Sequence, residues 1–318
     1  MNDGAQGLSW HGQIPCEIAL SAYDVVDLAA PAPVHLMLPR MSYLHAAASS
    51  AVDALRQSSL VASASSVWFS VDKTPQRFNL PVGVLFDIHQ LKNGVRENSE
   101  TIRHLPWRLT VHFSSYPADV LLGYDQDVPR HFFSQQLKQA LFLEHGNARV
   151  GMGITQENSE QMWGAVGEGD FETYKIVNDK VVADYELGEM KHEEFDTRSE
   201  QQKHTDEVRA QMDAEREAAE RKEWGEAEET EGGNLRKREI NSVPVRVIIG
   251  DGEQKLIQKP VAATKTLGEV LEQFLGDGGG GTDRVINGLF GVPDDTFITE
   301  LWRSCQSADH FLYVVVKA

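Results

Sequence analysis

Cysteine is scarce in this sequence. Cys16 and Cys305 are the only two in 318 residues, too few for a disulfide framework or a thiolate zinc cluster, and a count that suits a reducing compartment. No window approaches the ~18 uninterrupted apolar residues that a membrane-spanning helix needs. The opening "MNDGAQGLSWHGQIP" has no basic region followed by an apolar run, so no signal peptide is expected and the chain reads as soluble and cytosolic. Positive charge is also short: 30 Lys and Arg face 48 Asp and Glu, a formal charge of −18. That balance argues against nucleic acid, whose phosphates need a basic stripe, and against constitutive attraction to anionic membranes. The acid is unevenly spread. Residues 186–231 hold 17 acids against seven bases, a net of −10, which leaves −8 for the rest.

What is present fits about two domains of ~100–150 residues plus extra material, with 41% hydrophobic residues to build a core. "IPCEIAL" alternates Ile14, Cys16, Ile18 and Leu20 at period two, which predicts a half-buried strand. "PVHLMLP" predicts a second strand. "SYLHAAASSAVDALRQSSL" then changes to helical period, with Leu44, Ala47, Ala48, Ala51 and Leu55 on one face. "SVWFSVD", "PVGVLFDI" and "WRLTVHFS" read as strands again. Two strands, a helix and further strands within about 100 residues are what a beta-grasp, or ubiquitin-like, unit requires, although other two-layer α+β folds share the pattern.

Residues from about Val120 to Val182 read as helical. Asp127 and Pro129 mark a helix start, and Gly146 marks its stop, about 18 residues or ~27 Å of helix. "SEQMWGAVGEGDFETYKIVNDKVV" predicts two more short helices that bury Trp163, Phe171, Tyr174 and Val177. Residues 186–238 have almost no apolar face and read as a solvated or disordered insertion, with an interaction helix as the alternative. The last stretch repeats the first. "SVPVRVIIGD" and "KLIQKPVAAT" are joined by "GDGE", a hairpin signal through Asp251 and Gly252. Thr266 and Glu269 form a capping box for "TLGEVLEQFL", and "HFLYVVVK" closes as a buried strand. The expected division is a tail at 1–9, a ubiquitin-like unit at 10–119, a helix-rich unit at 120–185, the acidic insertion at 186–238 and a second ubiquitin-like unit at 239–318.

No catalytic constellation stands out in the sequence. A nucleophilic cysteine needs a base and an electropositive site, but Cys16 falls on the inward side of a strand and Cys305 beside an apolar helix. The glycine run "GDGGGG" at 276–281 lacks the Gly-Lys-Ser/Thr of a phosphate cradle. Eleven histidines show no i, i+4 pair, so a zinc site is unsupported, and His112 reads as structural. Neither paired carboxylates nor a Ser–His–Asp set follows from spacing. The chain is read as a non-enzyme that needs no cofactor or metal. It ends "LYVVVKA" without the Gly-Gly tail of a transferable modifier, so any part in conjugation is expected to be that of acceptor or scaffold.

One side chain stands out. Within "RHFFSQQLKQALFLEHGNAR", Lys138 is the only lysine between Lys92 and Lys175. At 100° per residue, Phe132, Phe133, Leu137, Ala140, Leu141 and Leu143 share a broad arc. Lys138 lies opposite it, on an exposed face, with Ser134 and Phe142 as its i−4 and i+4 neighbours. An ordinary lysine amine, with pKa ~10.4, is neutral in only about one molecule per thousand at pH 7. A partner enzyme must therefore supply desolvation or a base if this amine is to react.

Seven stretches carry a resemblance over nearly the whole chain: "LMLPRMSYL" (36–44), "TPQRFNLPVGVLFDI" (74–88), "LPWRLTVHFSSYPADVLL" (105–122), "HFFSQQLKQ" (131–139), "WGAVGEGDFETYKIVNDK" (163–180), "KPVAATKTLGEVL" (259–271) and "HFLYVVVK" (310–317). Their order and spacing resemble the autophagy protein 5 family. The resemblance implies two ubiquitin-like domains flanking a helix-rich one, and a scaffold without catalytic residues. It implies an isopeptide bond from the C-terminal glycine of the ubiquitin-like autophagy protein 12 to Lys138, made by separate activating and conjugating enzymes. It further implies non-covalent binding of a helix of autophagy protein 16. The complex is then expected to promote transfer of autophagy protein 8 onto phosphatidylethanolamine, with peripheral recruitment to the preautophagosomal membrane. Arg40, Gly83 and Asp87 are expected contributors to protein 16 binding, and Phe142 to partner contact. Asp87 at a strand end could pair with a basic side chain and Gly83 could permit close approach; a turn residue and a bulge are the alternatives. The competing functional classes are an unconjugated adaptor that binds partner helices and, ranked last, a thiol hydrolase using Cys16 or Cys305.

Overall fold

The computed structural model describes residues 3–25, 30–59, 66–94, 105–123, 127–194, 242–250, 255–276 and 283–317. The acidic stretch 186–238 lies outside these beyond the helical backbone that reaches Glu194, as do the Asp251–Gly252 turn and most of the glycine run.

The first ubiquitin-like unit follows a short helix α1 (Asp3–Trp10) and builds one five-stranded sheet. Its strands are β1 (Gln13–Leu20), β2 (Val34–Pro39), β3 (Trp68–Val71), β4 (Thr74–Pro75) and β5 (Trp107–His112), in the order β2-β1-β5-β3-β4. β1 and β5 run parallel, and the other neighbours are antiparallel. β1 buries every second residue, Ile14, Cys16, Ile18 and Leu20. The predicted helix forms as α2 (Leu44–Ala47) and α3 (Ser49–Arg56), broken at Ala48.

The second unit repeats this plan. β6 (Ser242–Ile249), β7 (Lys255–Ala262), β8 (Arg284–Ile286), β9 (Leu289–Phe290) and β10 (Leu312–Val316) follow the order β7-β6-β10-β8-β9, with the parallel pair β6–β10 at the centre. Its helices are α9 (Leu267–Leu275), which starts on the Thr266–Glu269 capping box, and α10 (Ile298–Cys305). The two units enclose a helical block of α5 (Val128–His145), α6 (Arg149–Met152), α7 (Gln156–Glu168) and α8 (Phe171–Glu194). Phe171, Tyr174 and Val177 are buried as expected, whereas Trp163 is half-buried, and α6 and the length of α8 are additions to the sequence reading.

"PVGVLFDI" is a helix, α4 (Val82–Lys92), not the expected strand. The reason is its position. α4 packs on β2 on one side and on β8 and β10 of the second sheet on the other, so Val82, Val84, Leu85, Phe86, Ile88 and Leu91 are all buried. A helix apolar all round loses the period-3.6 signature and reads as a short apolar run. The second sheet is covered on both faces, one by α9 and α10 and the other by the core that includes α4, which is why β10 is buried along its whole length.

A buried polar cluster fastens the three parts. Asp309 has no exposed surface. Its Oδ2 accepts from the Tyr313 hydroxyl at 2.6 Å and lies 3.9 Å from Nη1 of Arg246. The Tyr43 hydroxyl stands 3.3 Å from Asp309 Oδ2 and 3.4 Å from Gln136 Oε1, and its single proton serves one of them. Arg246 also donates to Gln139 of α5 at 3.2 Å and stacks over the Phe311 ring at 3.6 Å. Burial pushes the Asp309 carboxyl up, and Arg246 opposes the shift.

Two consequences are measurable. Asp309→Ala strands Arg246 in the interior, so urea denaturation should show a loss of about 3–5 kcal/mol; a loss under 1 kcal/mol would contradict the role given to the cluster. His45 sits edge-on to Phe69 and Phe78, 2.9 Å from the Val67 carbonyl oxygen. Burial lowers its pKa from 6.5 to about 4. Below 6.5 the unfolded chain takes up this proton and the folded chain does not, so stability present above pH 6.5 is lost as the pH falls towards 4. The share from this residue is on the order of 2–3 kcal/mol, and a His45→Gln variant should show a correspondingly flatter pH–stability curve over that window.

Candidate functional site

α5 carries Lys138. Pro129 occupies its first turn, and Gly146 ends it in the left-handed conformation at φ 70, donating its N–H to the Phe142 carbonyl. Phe133, Gln136, Leu137, Ala140 and Leu141 are buried, while Phe132 and Leu143 at the edges of the expected arc are half-buried. Lys138 does lie away from that stripe, but its face is not open: the side chain is half-buried. The chain reverses after Gly146 and lays α6 across it. A Cβ added at Gly151 would come 3.2 Å from Cα, Cβ and Cγ of Lys138. Among the described residues the Lys138 ammonium makes no hydrogen bond or ion pair. Phe142, one turn on, is 48% exposed, and Met152, next to Gly151, is 79% exposed.

Arg40, Gly83 and Asp87 meet in a second place. Arg40 follows β2, and its Nη2 donates to Asp87 Oδ1 at 2.6 Å while Nε donates to Asn287 Oδ1 at 3.3 Å. The other Asp87 oxygen accepts the Gly288 N–H at 2.9 Å. Three glycines hem in the arginine. A Cβ at Gly12, Gly83 or Gly288 would come within 2.8, 3.0 and 3.1 Å of it. Gly83 and Asp87 therefore sit in a buried helix rather than in a strand, as neither bulge nor turn. With 1% of its side chain exposed, Asp87 already spends its charge on Arg40 and is closed to an incoming basic group. Burial raises the Asp87 carboxyl pKa, and Arg40 opposes that rise.

Three family models match the chain in order. They are the UblA domain of autophagy protein ATG5 over residues 9–113, its alpha-helical bundle region over 126–184 and its UblB domain over 242–316. The chain belongs to the autophagy protein 5 family. Curated relatives include autophagy protein 5 of Arabidopsis thaliana, 31% identical over 173 residues, which is 54% of this chain and 48% of that protein. Autophagy protein 5 of Aspergillus clavatus is 32% identical over 187 residues, 53% of this chain and 57% of that one. The chain thus spans about half the length of the curated relatives it matches. The crystal structure of Kluyveromyces marxianus Atg5 superposes with a TM-score of 0.67 over 99% of this chain and all of that one, at 20% identity, which is likeness of fold.

Within this autophagy protein 5 fold the candidate nucleophiles are enclosed. Cys16 and Cys305 are buried, and burial pushes their thiols up to about 12 and about 11. His112 stacks on Trp68 and lies 2.8 Å from Ser70 Oγ, but Ser70 is 3% exposed and Asp24, the nearby carboxylate, spends one oxygen on the Phe113 N–H. Among the described residues no group of three His, Cys, Asp or Glu is placed to hold a metal ion, and no helix is long and apolar enough to cross a membrane. Gly151 and the β8–β9 hairpin are not among the features expected from the sequence. Nothing in the sequence marks the first, but Asn287-Gly288, with φ 49 and 79, is the Asn-Gly pair of a tight hairpin and could have revealed the second. With both thiols about a thousandfold or more from ionisation at pH 8, iodoacetamide should label neither cysteine of the folded protein within an hour. Rapid labelling of either one in the folded state would revive the hydrolase reading.

Proposed function

We propose that this chain is a non-catalytic scaffold of autophagosome formation that accepts autophagy protein 12 at Lys138. The observation that carries the reading is the amine itself, unengaged among the described residues, on a stem packed against Gly151 in the helical region of an autophagy protein 5 fold. In the proposed step the neutral Nζ attacks the thioester carbonyl of the C-terminal glycine of protein 12. The C–N bond forms, the C–S bond breaks, the cysteine sulfur of the conjugating enzyme leaves as thiolate, and the amine proton passes to solvent or to a base of that enzyme. Phe142 is the apolar contact beside the acceptor.

Family membership supports the remaining partners. A helix of autophagy protein 16 binds non-covalently, and the assembly promotes lipidation of autophagy protein 8 with phosphatidylethanolamine at the preautophagosomal membrane, where this cytoplasmic protein is peripheral. Arg40, Gly83 and Asp87 contribute to protein 16 binding by fixing the β8–β9 hairpin beside α4, because Asp87 is too enclosed to bond a partner itself.

The test maps the adduct. The chain is incubated with protein 12 and its activating and conjugating enzymes, then resolved on denaturing gels and by peptide mass spectrometry, for wild type and Lys138→Arg. Arginine keeps the charge but is not a nucleophile at this pH. A shifted band should map to Lys138 and vanish in the variant. An adduct that survives the substitution would move the acceptor elsewhere, and no adduct with active partners would leave an unconjugated adaptor.

A further inference from the structure

We infer that Gly151 is a positioning residue for acylation of Lys138, an inference that rests on the acceptor role proposed above. Lys138 starts from α5, but the surface it lies on belongs to α6. The added Cβ at Gly151 falls 3.2 Å from each of the first three carbons of Lys138, inside ordinary van der Waals contact, so hydrogen at this position lets α6 lie directly on the lysine stem. Val150 beside it is fully buried and anchors α6 to the core. The stem is thereby held against backbone as far as Cγ, and the ammonium beyond it makes no hydrogen bond or ion pair among the described residues.

Geometry explains why this affects reaction. A lysine side chain is among the most flexible, and an amine that must reach a thioester carbonyl along a defined line loses that freedom on the way. Contact with Gly151 removes part of it beforehand, at the inner torsions. Phe142, one turn on from Lys138, and Met152, next to Gly151, are 48% and 79% exposed and give the two helices apolar surface there. Neither is a charged group that would draw the ammonium back onto the protein.

A glycine in a helix with ordinary backbone angles is poorly explained by local stability, since alanine is the better helix former there. The two readings of Gly151 therefore predict different results. If it is only an unoptimised helix residue, Gly151→Ala leaves conjugation alone. If it seats the lysine, the same change displaces the stem by a few tenths of an ångström, and misplacement of a reacting group by small distances is costly.

The experiment uses the full chain with protein 12 preloaded as thioester on its conjugating enzyme, and follows single-turnover transfer as the chain concentration is raised. Gly151→Ala should lower the limiting rate about 3- to 10-fold with the half-saturating concentration unchanged, and Gly151→Val should lower it further. Gly164→Ala on α7 is the control, because nothing lies within 4 Å of an added Cβ there; it should transfer at the wild-type rate. The melting temperature of Gly164→Ala should equal or exceed that of wild type, and that of Gly151→Ala should stay within a few degrees of it, because the helix-propensity gain offsets the 3.2 Å contacts. A wild-type rate in Gly151→Ala, with the adduct mapped to Lys138, overturns the role of Gly151 and leaves the acceptor intact. A slower rate accompanied by a melting temperature lowered by more than a few degrees, or by a raised half-saturating concentration, also overturns it, as a general loss of structure or docking. Absence of any wild-type adduct at Lys138 removes both.

Discussion

A carboxylate with no contact with water sits where the three parts of this protein meet. Burying an ionised group costs several kcal/mol unless opposite charge and hydrogen bonds surround it, so Asp309 constrains everything near it. Tyr43 comes from the turn before α2, Tyr313 from β10, Arg246 from β6 and Gln136 from α5. The sheets and the helix satisfy this set in one mutual register. His310, next along the chain, extends the arrangement to Glu144 of α5 at 3.2 Å and Asn178 of α8 at 3.1 Å. The loop before β10 thus acts as a pin through the helical block. Apolar packing alone tolerates small slips, while a buried polar cluster penalises each one.

The Arg40 cluster ties the same units at a second place. It brings together a residue after β2, the α4 helix and the β8–β9 hairpin, separated by 47 positions in one pair and 201 in another. The forked guanidinium reaches Asp87 and Asn287 at once, which a single ammonium could not do in this geometry. Gly12, Gly83 and Gly288 let three backbones approach the arginine. The residues singled out by family resemblance are therefore one structural group, although the stretch that holds two of them has the pattern of a strand.

Local signals in the sequence proved readable where one element decides its own structure. The alternation of β1, the Pro129 start and Gly146 stop of α5, and the Thr266–Glu269 box of α9 each rest on contacts within a few residues. Features set by distant partners were hidden. α4 reads as a strand because two sheets bury it from opposite sides, and that burial erases its amphipathic period. Lys138 reads as exposed because periodicity describes one helix and says nothing of α6 folded over it. No pattern along the chain announces that Asp309 will face Arg246.

These limits meet in the functional question. Under the proposed acceptor role, and with both cysteines enclosed in the cores, what this chain contributes to a conjugation is position. Position demands stiffness along the whole path from acceptor to partner surface. α5 supplies it: the helix carrying Lys138 also carries Gln139, which accepts from Arg246 of the polar cluster, Gln136, which lies beside Tyr43, and Glu144, which holds His310. Residues on both sides of Lys138, within two turns, are thus fastened to the second sheet or to its neighbours. The backbone at Lys138 is therefore held to a frame shared by both ubiquitin-like units. The buried charge that makes the core exacting also makes the direction in which Lys138 leaves α5 definite.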